Sequence, residues 1–379
     1  MAHADGRSRA DTAATDAAGS PGQGAPGPLR ADGIGQASPQ PGSPAPGSSG
    51  VGASTSGPSG TGVPEAGPPR GARVPPERPD WDPDRYPLSV DYVAIGHVCL
   101  DLFKNRYMLG GSATYAALTA RRLGRRVGVL TSADFEPNIL DALVGRDHLL
   151  DPATDIRVTR VPSQHGTTTF VNVYEESGRR QEIRAVANVI RAEHVPPEWQ
   201  AAPLVHLAPV ALDVALDLVH QFPNALMGVT PQGWMRAWDE QGRVRAVAWE
   251  HADLVLDRAD VVILSEEDLA DRSVLRSYAQ KAKVLVVTEA RDGAYFFERG
   301  AGPFRSAAFR PARESDPTGA GDVFAAAFFT QFRRTGDAQA SADFANCVAS
   351  FSLEKRAWHG IPTEEQVKQR LARGKRRKA

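Results

Sequence analysis

The sequence predicts an α/β fold whose central sheet is mostly parallel and flanked by helices. Short apolar runs recur through the middle of the chain, and most are continuous rather than alternating, as in strands that are buried on both faces. Helix-like segments separate many of these runs, and strands that alternate with helices favour a parallel sheet. The predicted strands lie at residues 91–96, 127–132, 203–210, 225–230, 261–265 and 284–289.

Two of the intervening segments have the pattern of helices, and a third has a different pattern. Residues 113–124 place small and apolar side chains along one stripe and end at a glycine, which is typical of a helix C-terminus. Residues 212–222 show a similar pattern. Residues 167–188 contain two strand candidates of mixed polarity, which indicates an antiparallel hairpin that lies partly outside the main core.

The two ends of the chain differ in composition from the middle. Residues 1–79 consist largely of Ala, Gly, Pro and Ser, with too few branched aliphatic residues to offset the entropy of ordering the backbone. We therefore predict a disordered extension, either a tether or a dispensable start, over residues 1–86. An ordered domain is expected at residues 87–364, with its hairpin at about 165–188, followed by a basic tail at 365–379.

Composition and charge exclude several classes of protein. The chain has 379 residues and a formal net charge of −1, so no strong overall charge indicates a nucleic acid or a membrane surface as partner. No window approaches the roughly 18 apolar residues of a membrane span, and the N-terminus has no secretory pattern. Cys99 and Cys347 each lie inside an apolar run, which favours buried thiols in a reducing compartment such as the cytoplasm.

The stretch DPTGAGD, residues 316–322, places two carboxylates around a loop of small residues. An apolar run of helix length follows, so Gly319, Ala320, Gly321 and Asp322 are predicted to lie at a helix N-terminus. Free N–H groups and the positive end of the helix dipole bind anions there. A carboxylate in that first turn can accept the proton of an attacking hydroxyl during phosphoryl transfer.

A helix cap is the alternative role for Asp322, because Asp is favoured at helix N-termini. The small residues and the second carboxylate, Asp316, share the same short stretch with it. That combination favours the catalytic role over simple capping.

Two motifs resemble the signatures of one enzyme family. DPTGAGDVFAAAFF resembles the C-terminal signature of the ribokinase-like (PfkB) carbohydrate kinases, and GGSATYAALTARRLG, residues 110–124, resembles their N-terminal signature. The resemblance covers about residues 91–362, and no Walker A motif is present. It implies a ribokinase-like fold in which the hairpin is a β lid. It also implies ATP-dependent phosphorylation of a small carbohydrate or polyol, with Mg²⁺ and a monovalent cation such as K⁺.

The resemblance also implies roles for residues around the transferred group. Asp322 would be the catalytic base, and the N–H groups of Gly319, Ala320 and Gly321 would stabilise the phosphoryl group. Asp316 would lie near a monovalent cation or order the loop.

Substrate and nucleotide contacts follow from the same resemblance. Asp101 matches an acidic residue that binds sugar hydroxyls, and its alternative role is to cap a turn or a helix. Gly110 and Gly111 would let the backbone approach the sugar. Thr288, Gly293 and Thr318 match nucleotide-binding positions, as does Asn346, whose alternative is a helix-surface amide.

The sequence departs from the family pattern at two places. Ser265 and Asp268 stand where many members have the Asn and Glu of an N-x-x-E motif linked to magnesium. Asp268 can still bind a water molecule on Mg²⁺, and Glu267 is a further candidate metal-binding residue. Residues 112–114 replace an Asn that often contacts the sugar, so the identity of the substrate stays open. Residues 228–244 resemble a subgroup that includes plant myo-inositol kinases, which adds cyclitols to the candidates.

Two other functions remain open at this point. The first is a nucleoside kinase, which shares the fold and needs an aromatic platform for the base. The candidates for this platform are Tyr107, Phe135 and Phe170, and the alternative role of each is core or lid packing. A nucleotide- or sugar-binding protein without turnover is the other, and the altered residues 265–268 are its support. Relatives dimerise through the lid, so a homodimer is also a candidate.

Overall fold

A computed structural model describes residues 89–103, 106–134, 156–175 and 178–373. The predicted disordered extension, the last residues of the predicted tail and Phe135 lie outside these residues. In the described part of the chain, no helix combines the length and the apolar character that crossing a bilayer requires.

Within the described residues, nine strands form the main sheet: β1 (Tyr92–Ile95), β4 (Val127–Ala133), β5 (Arg157–Pro162), β8 (Leu204–Leu207), β9 (Leu226–Val229), β12 (Val261–Ser265), β13 (Val284–Thr288), β14 (Gly293–Glu298) and β15 (Ala301–Ala307). Their order across the sheet is β15-β14-β13-β12-β9-β8-β1-β4-β5. All pairs are parallel except β13–β14 and β14–β15, which are antiparallel hairpin partners at one edge. The predicted mostly parallel sheet is therefore confirmed.

Apolar side chains bury both faces of this sheet. Along β1, Tyr92 and Ala94 belong to one core cluster, whereas Val93 and Ile95 belong to the other. This alternation explains why the strand is apolar throughout. The helices that flank the sheet are α1 (Ser112–Arg122), α2 (Ala252–Arg258), α3 (Leu275–Lys281), α4 (Ala320–Thr335), α5 (Ala338–Ser352) and α6 (Glu364–Arg373).

A second, smaller sheet contains the predicted hairpin. Its strands are β2 (Cys99–Phe103), β3 (Arg106–Gly110), β6 (Thr169–Glu175) and β7 (Gly178–Ala185), in the order β3-β2-β6-β7. The antiparallel pairing of β6 and β7 confirms the hairpin. The sheet is larger than the sequence predicts, because β2 and β3 come from the segment directly after β1.

One predicted helix is wrong. Within residues 212–222 the structure has only a short 3₁₀ helix, Leu216–His220. The buried carboxylate of Asp213 accepts backbone N–H bonds from Val210 and Ala211, at 2.7 and 2.8 Å, and Leu212 has a φ of +56°. These local bonds replace the helical ones, since a short acidic side chain competes for backbone donors.

The C-terminal helix extends the packed structure beyond the predicted domain end at residue 364. α6 begins at Glu364, and Val367 on it is fully buried in the main core. The segment predicted as a tail therefore forms a helix up to Arg373.

Candidate active site

The two helix N-termini predicted from the glycine-rich motifs meet at one point. Gly319 is the N-cap of α4, with a left-handed φ of +75°, and Asp322 lies in the first turn of this helix. Ser112 is the first residue of α1, and its hydroxyl hydrogen-bonds to the carboxylate of Asp322. The prediction that Asp322 lies in a helix N-terminal turn is thus confirmed.

The three small residues of the loop have different surroundings. A Cβ on Gly319 would lie 2.3 Å from the ring of Tyr115, so packing against α1 excludes a side chain there. A Cβ on Gly321 would meet no atom within 4 Å, and this glycine is exposed. The fold itself therefore gives no reason for a glycine at 321, whereas a ligand that approaches the backbone does.

Backbone donors at this helix end are available for an anion. Among the described residues, no acceptor is found for the N–H groups of Gly319 and Gly321. The N–H of Ala320 donates to the carbonyl of Pro317 at 3.2 Å. The free donors of the first turn, together with the helix dipole, make this loop suited to hold a phosphoryl group.

The pKa of Asp322 is raised to about 6. Burial is the largest cause; the hydrogen bond from Ser112 and the charge of Arg236 act in the opposite direction, and the charges of Asp268 and Asp101 raise the pKa further. Such a carboxyl is ionised at neutral pH and is a stronger base than an exposed aspartate.

Of the predicted substrate residues, Asp101 and Gly110 lie on strands of the small sheet, and Gly111 is the N-cap of α1. Asp101 lies on β2, and a Cβ on Gly110 would fall 2.1 Å from its carboxylate oxygen Oδ2. Gly111 has a φ of +88°, and a Cβ there would come within 2.5 Å of the carbonyl of His97. Asp101 acts electrostatically on Asp322, so the structure brings the two carboxylates into one region.

The predicted metal residues form a tight turn after β12. Ser265 caps the 3₁₀ helix Glu266–Asp268: its hydroxyl accepts from the N–H of Glu267, and its own N–H donates to Asp268 at 3.2 Å. The side chain of Gln232 donates to the other oxygen of Asp268 at 2.7 Å. The Ser–Asp pair thus has a capping function of its own.

These residues fit a sparse magnesium site. In the described part of the chain, no three His, Cys, Asp or Glu side chains cluster with metal-binding geometry. Mg²⁺ usually takes one or two protein carboxylates together with phosphates and water. Asp268 lies near enough to Asp322 to raise its pKa, and Glu267 is exposed beside it.

Asp316 is held by the backbone of its surroundings. Its carboxylate accepts N–H bonds from Thr318 at 3.0 Å and from Ala357 at 2.9 Å. Burial raises its pKa, but a hydrogen bond from the hydroxyl of Thr318, the two N–H bonds and the charge of Arg356 outweigh burial and leave the pKa below its usual value. These contacts order the loop before Gly319.

The predicted nucleotide residues have contacts within the protein. Thr288 ends β13 and pairs in register with Ser265, so both lie at the carboxyl edge of the sheet. Asn346 is buried rather than on the helix surface, and its amide donates to the carbonyl and the hydroxyl of Ser306, each at 2.9 Å. Gly293 has a φ of +105° and its Cβ would lie 2.3 Å from the carbonyl of Ser306.

Sequence reasoning missed Ser112 as a partner of Asp322 and missed Arg236 altogether. Arg236 begins the short strand β10 (Arg236–Trp238), which pairs with β11 (Val244–Ala246). Ser112 lies in a segment that departs from the family pattern, and Arg236 lies in residues 228–244, which resemble a subgroup of the family; these two features were the available signals.

Comparison with known proteins gives one consistent family. Residues 154–363 match the model of the pfkB family of carbohydrate kinases. A fructokinase of Escherichia coli is 26% identical over 246 residues, which cover 60% of this chain and 78% of that protein.

Solved structures support the fold. A pyrophosphate-dependent kinase of the ribokinase family, complexed with a pyrophosphate analogue and myo-inositol, has a TM-score of 0.55 at 21% identity and covers 73% of this chain and 99% of its own. The ribokinase of Arabidopsis thaliana, complexed with ribose and ATP, has a TM-score of 0.56 at 16% identity. The match covers 75% of this chain and 99% of the ribokinase chain. Together with the family match over more than half of its length, this shows that the chain belongs to the pfkB family of carbohydrate kinases.

Proposed function

We propose that this protein transfers the γ-phosphoryl group of ATP to a hydroxyl of a small carbohydrate or polyol, with Asp322 as the base. The observation that carries the proposal is the position of Asp322, which lies in the same helical turn as the N–H groups of Gly319 and Gly321, for which the described part of the chain offers no acceptor. A base beside an anion-binding helix end is the arrangement that phosphoryl transfer to a hydroxyl needs.

In this mechanism Asp322 accepts the proton of the acceptor hydroxyl as the oxygen attacks. Its raised pKa of about 6 makes it basic enough for the task while leaving it ionised at neutral pH. The N–H groups of Gly319 and Gly321, with that of Ala320, stabilise negative charge on the transferred group. Asp101 binds and orients acceptor hydroxyls, with Gly110 and Gly111 leaving room for them.

The donor side rests on the family and on residues at the carboxyl edge of the sheet. Thr288, Gly293, Thr318 and Asn346 are the proposed nucleotide-binding positions. Mg²⁺ bound to the donor phosphates would neutralise their charge, and Asp268 and Glu267 are the residues proposed to hold it through water.

A potassium ion at Asp316 receives less support. Both carboxylate oxygens of Asp316 already accept backbone N–H bonds. We therefore assign it to ordering the loop.

The experiment is a panel of pentoses, hexoses, inositols and nucleosides with ATP or pyrophosphate as donor and Mg²⁺ present. Pyrophosphate is included because one structural relative uses it. Mass spectrometry detects the phosphorylated acceptor, and Asp322→Asn serves as the matched control. A sugar or polyol phosphorylated by the wild type and not by the variant supports the proposal. A folded wild-type protein that phosphorylates none of the acceptors with either donor contradicts it, and a nucleoside as the preferred acceptor would replace the substrate class.

Of the three aromatic candidates for a nucleoside platform, Phe135 lies outside the described residues, and neither of the other two supports a nucleoside. Phe170 is buried, and the guanidinium of Arg236 lies 6.0 Å from its ring centroid. Tyr107 lies on β3 and is 62% exposed. A carbohydrate or polyol therefore remains the proposed acceptor.

A homodimer through the small sheet and a cytoplasmic location complete the proposal. β3 is an edge strand of that sheet, which supports the first. Cys99 and Cys347 are buried free thiols, in keeping with a reducing compartment. Light scattering during gel filtration, on wild type and Tyr107→Ser, tests the dimer.

A further inference from the structure

The hairpin of β10 and β11 pairs with β7, one of the two edge strands of the small sheet. The N–H of Ile183 on β7 donates to the carbonyl of Gly242 at 2.8 Å, and Glu182 forms an antiparallel bridge with Arg243. Gly242 has a φ of +78°, and a Cβ there would lie 2.2 Å from the carbonyl of Ile183. The backbones are thus so close at this point that only glycine fits.

Apolar side chains join the same elements. Ile183 and Phe170 of the small sheet form a buried cluster with Val210 of the main body, and Trp238 and Val244 of the hairpin pack against it. The hairpin therefore holds the small sheet and a loop of the main body together through one shared cluster.

Arg236 links this cluster to the active site. Its Nη1 donates to the carbonyl of Val210 at 3.3 Å, and its guanidinium lies 6.0 Å from the ring centroid of Phe170 on β6. Phe170 is the register partner of Asp101 across the β2–β6 pair. The charge of Arg236 also acts on Asp322, where it opposes the effect of burial on the pKa.

We propose that the β10–β11 hairpin is a clamp that holds the small sheet over the site, and that Arg236 is the positioning residue of this clamp. The inference rests on the proposed function, since the small sheet then acts as the lid over the acceptor. A lid held in place excludes water from the transferred group and fixes Asp101 relative to Asp322. The clamp belongs to the same chain, so it acts without a partner subunit.

The first test needs no enzymatic activity. Gly242→Val places a side chain against the carbonyl of Ile183, and Arg236→Gln removes the guanidinium. Hydrogen exchange followed by mass spectrometry should show exchange in β7 (Gly178–Ala185) at least about tenfold faster in Gly242→Val, and a smaller increase in Arg236→Gln. Exchange in α4 should stay at the wild-type rate, which shows that the domain remains folded.

Arg245→Gln is the matched control. Arg245 is exposed on β11, and no hydrogen bond or ion pair of its side chain is found in the described part of the chain. It changes the same charge on the same hairpin, so β7 should exchange at the wild-type rate. Wild-type exchange of β7 in both Gly242→Val and Arg236→Gln would overturn the clamp, whatever the enzyme phosphorylates.

The second test uses turnover. In both clamp variants the KM for the acceptor should rise at least about fivefold, and the donor should be hydrolysed in excess of the phosphorylated acceptor formed. In Arg236→Gln the apparent pKa on the acid side of the kcat/KM pH profile should also rise by about 0.5 unit, because a cation that lowers the pKa of Asp322 is lost. Other titratable groups that interact with Asp322 stay in place in the variant: Asp101, Asp268, Tyr92 and Cys99.

These two tests separate the inference from the proposed function. A wild-type protein without kinase activity contradicts the function, while the exchange of β7 still decides whether the hairpin is a clamp. An active wild type with an unchanged acceptor KM and an unchanged apparent pKa on the acid side in Arg236→Gln contradicts the role of Arg236.

Discussion

Replacing Asp322 by Asn should raise the stability of the protein while it removes turnover. The pKa of Asp322 is raised from 3.8 to about 6 in the folded state, a difference of about 2 units. Each unit corresponds to about 1.36 kcal/mol, so the folded protein loses about 3 kcal/mol by holding this carboxylate ionised. Asn carries no charge and avoids that cost.

The sign of the effect depends on pH. Because the folded state binds the proton of Asp322 more tightly than the unfolded state, the cost is absent below about pH 4, grows between about pH 4 and 6, and is complete above pH 6. The pKa of about 6 already contains the effect of the hydrogen bond from Ser112, which lowers it. A gain of about 3 kcal/mol at pH 8 corresponds to roughly 6 °C in Tm for a domain of this size.

Thermal unfolding in overlapping buffers from pH 4.5 to 8 measures this difference. Asp257→Asn, an exposed aspartate on α2, controls for the loss of one negative charge. We expect the Tm of Asp322→Asn to exceed that of the wild type by an amount that increases with pH, together with a fall in turnover of about 10²–10⁴. A difference in Tm that is the same at all pH values, or a variant less stable than wild type at pH 8, would refute the reasoning about burial.

Three further substitutions test the remaining parts of the site. Gly321→Val should leave the Tm nearly unchanged, because its side chain projects into open space. It should lower kcat/KM for the donor at least about tenfold. Wild-type kinetics would show that the loop does not form the phosphoryl site. Asp268→Ala should raise the Mg²⁺ concentration needed for half-maximal rate, and an unchanged requirement would leave Asp268 with its capping function alone. Asp101→Ala should raise the acceptor KM about tenfold or more with little change in donor KM, and equal changes in both would contradict an acceptor-specific contact.

The strands of the main sheet could be predicted because their signal is local. Val261–Ser265 and Val284–Thr288 are continuous apolar runs, and burial on both faces requires that pattern. The position of Asp322 was predictable for the same reason, since a glycine loop before an apolar helix determines a helix N-terminus within a few residues. Both predictions are confirmed.

The parts that failed depend on contacts between distant segments. Leu212–Phe222 has the apolar spacing of a helix, yet the carboxylate of Asp213 binds three backbone N–H groups, including that of His97, and stops the helix from forming. The strands Cys99–Phe103 and Arg106–Gly110 have mixed polarity, and only pairing with β6 shows them as part of the small sheet. No local pattern reveals such partners.

Asp322, the proposed base, illustrates this difference between local and distant contacts. Its place in the sequence is a local property, but its pKa follows from side chains on four separate segments, with Ser112 and Arg236 opposing burial and Asp101 and Asp268 adding to it. A sequence that keeps DPTGAGD and alters any of these neighbours would retain the motif and change the basicity of Asp322. Activity in this family should therefore depend on the residues around the carboxylate as strongly as on the motif itself. The apparent pKa on the acid side of the kcat/KM profile of Arg236→Gln measures that dependence directly.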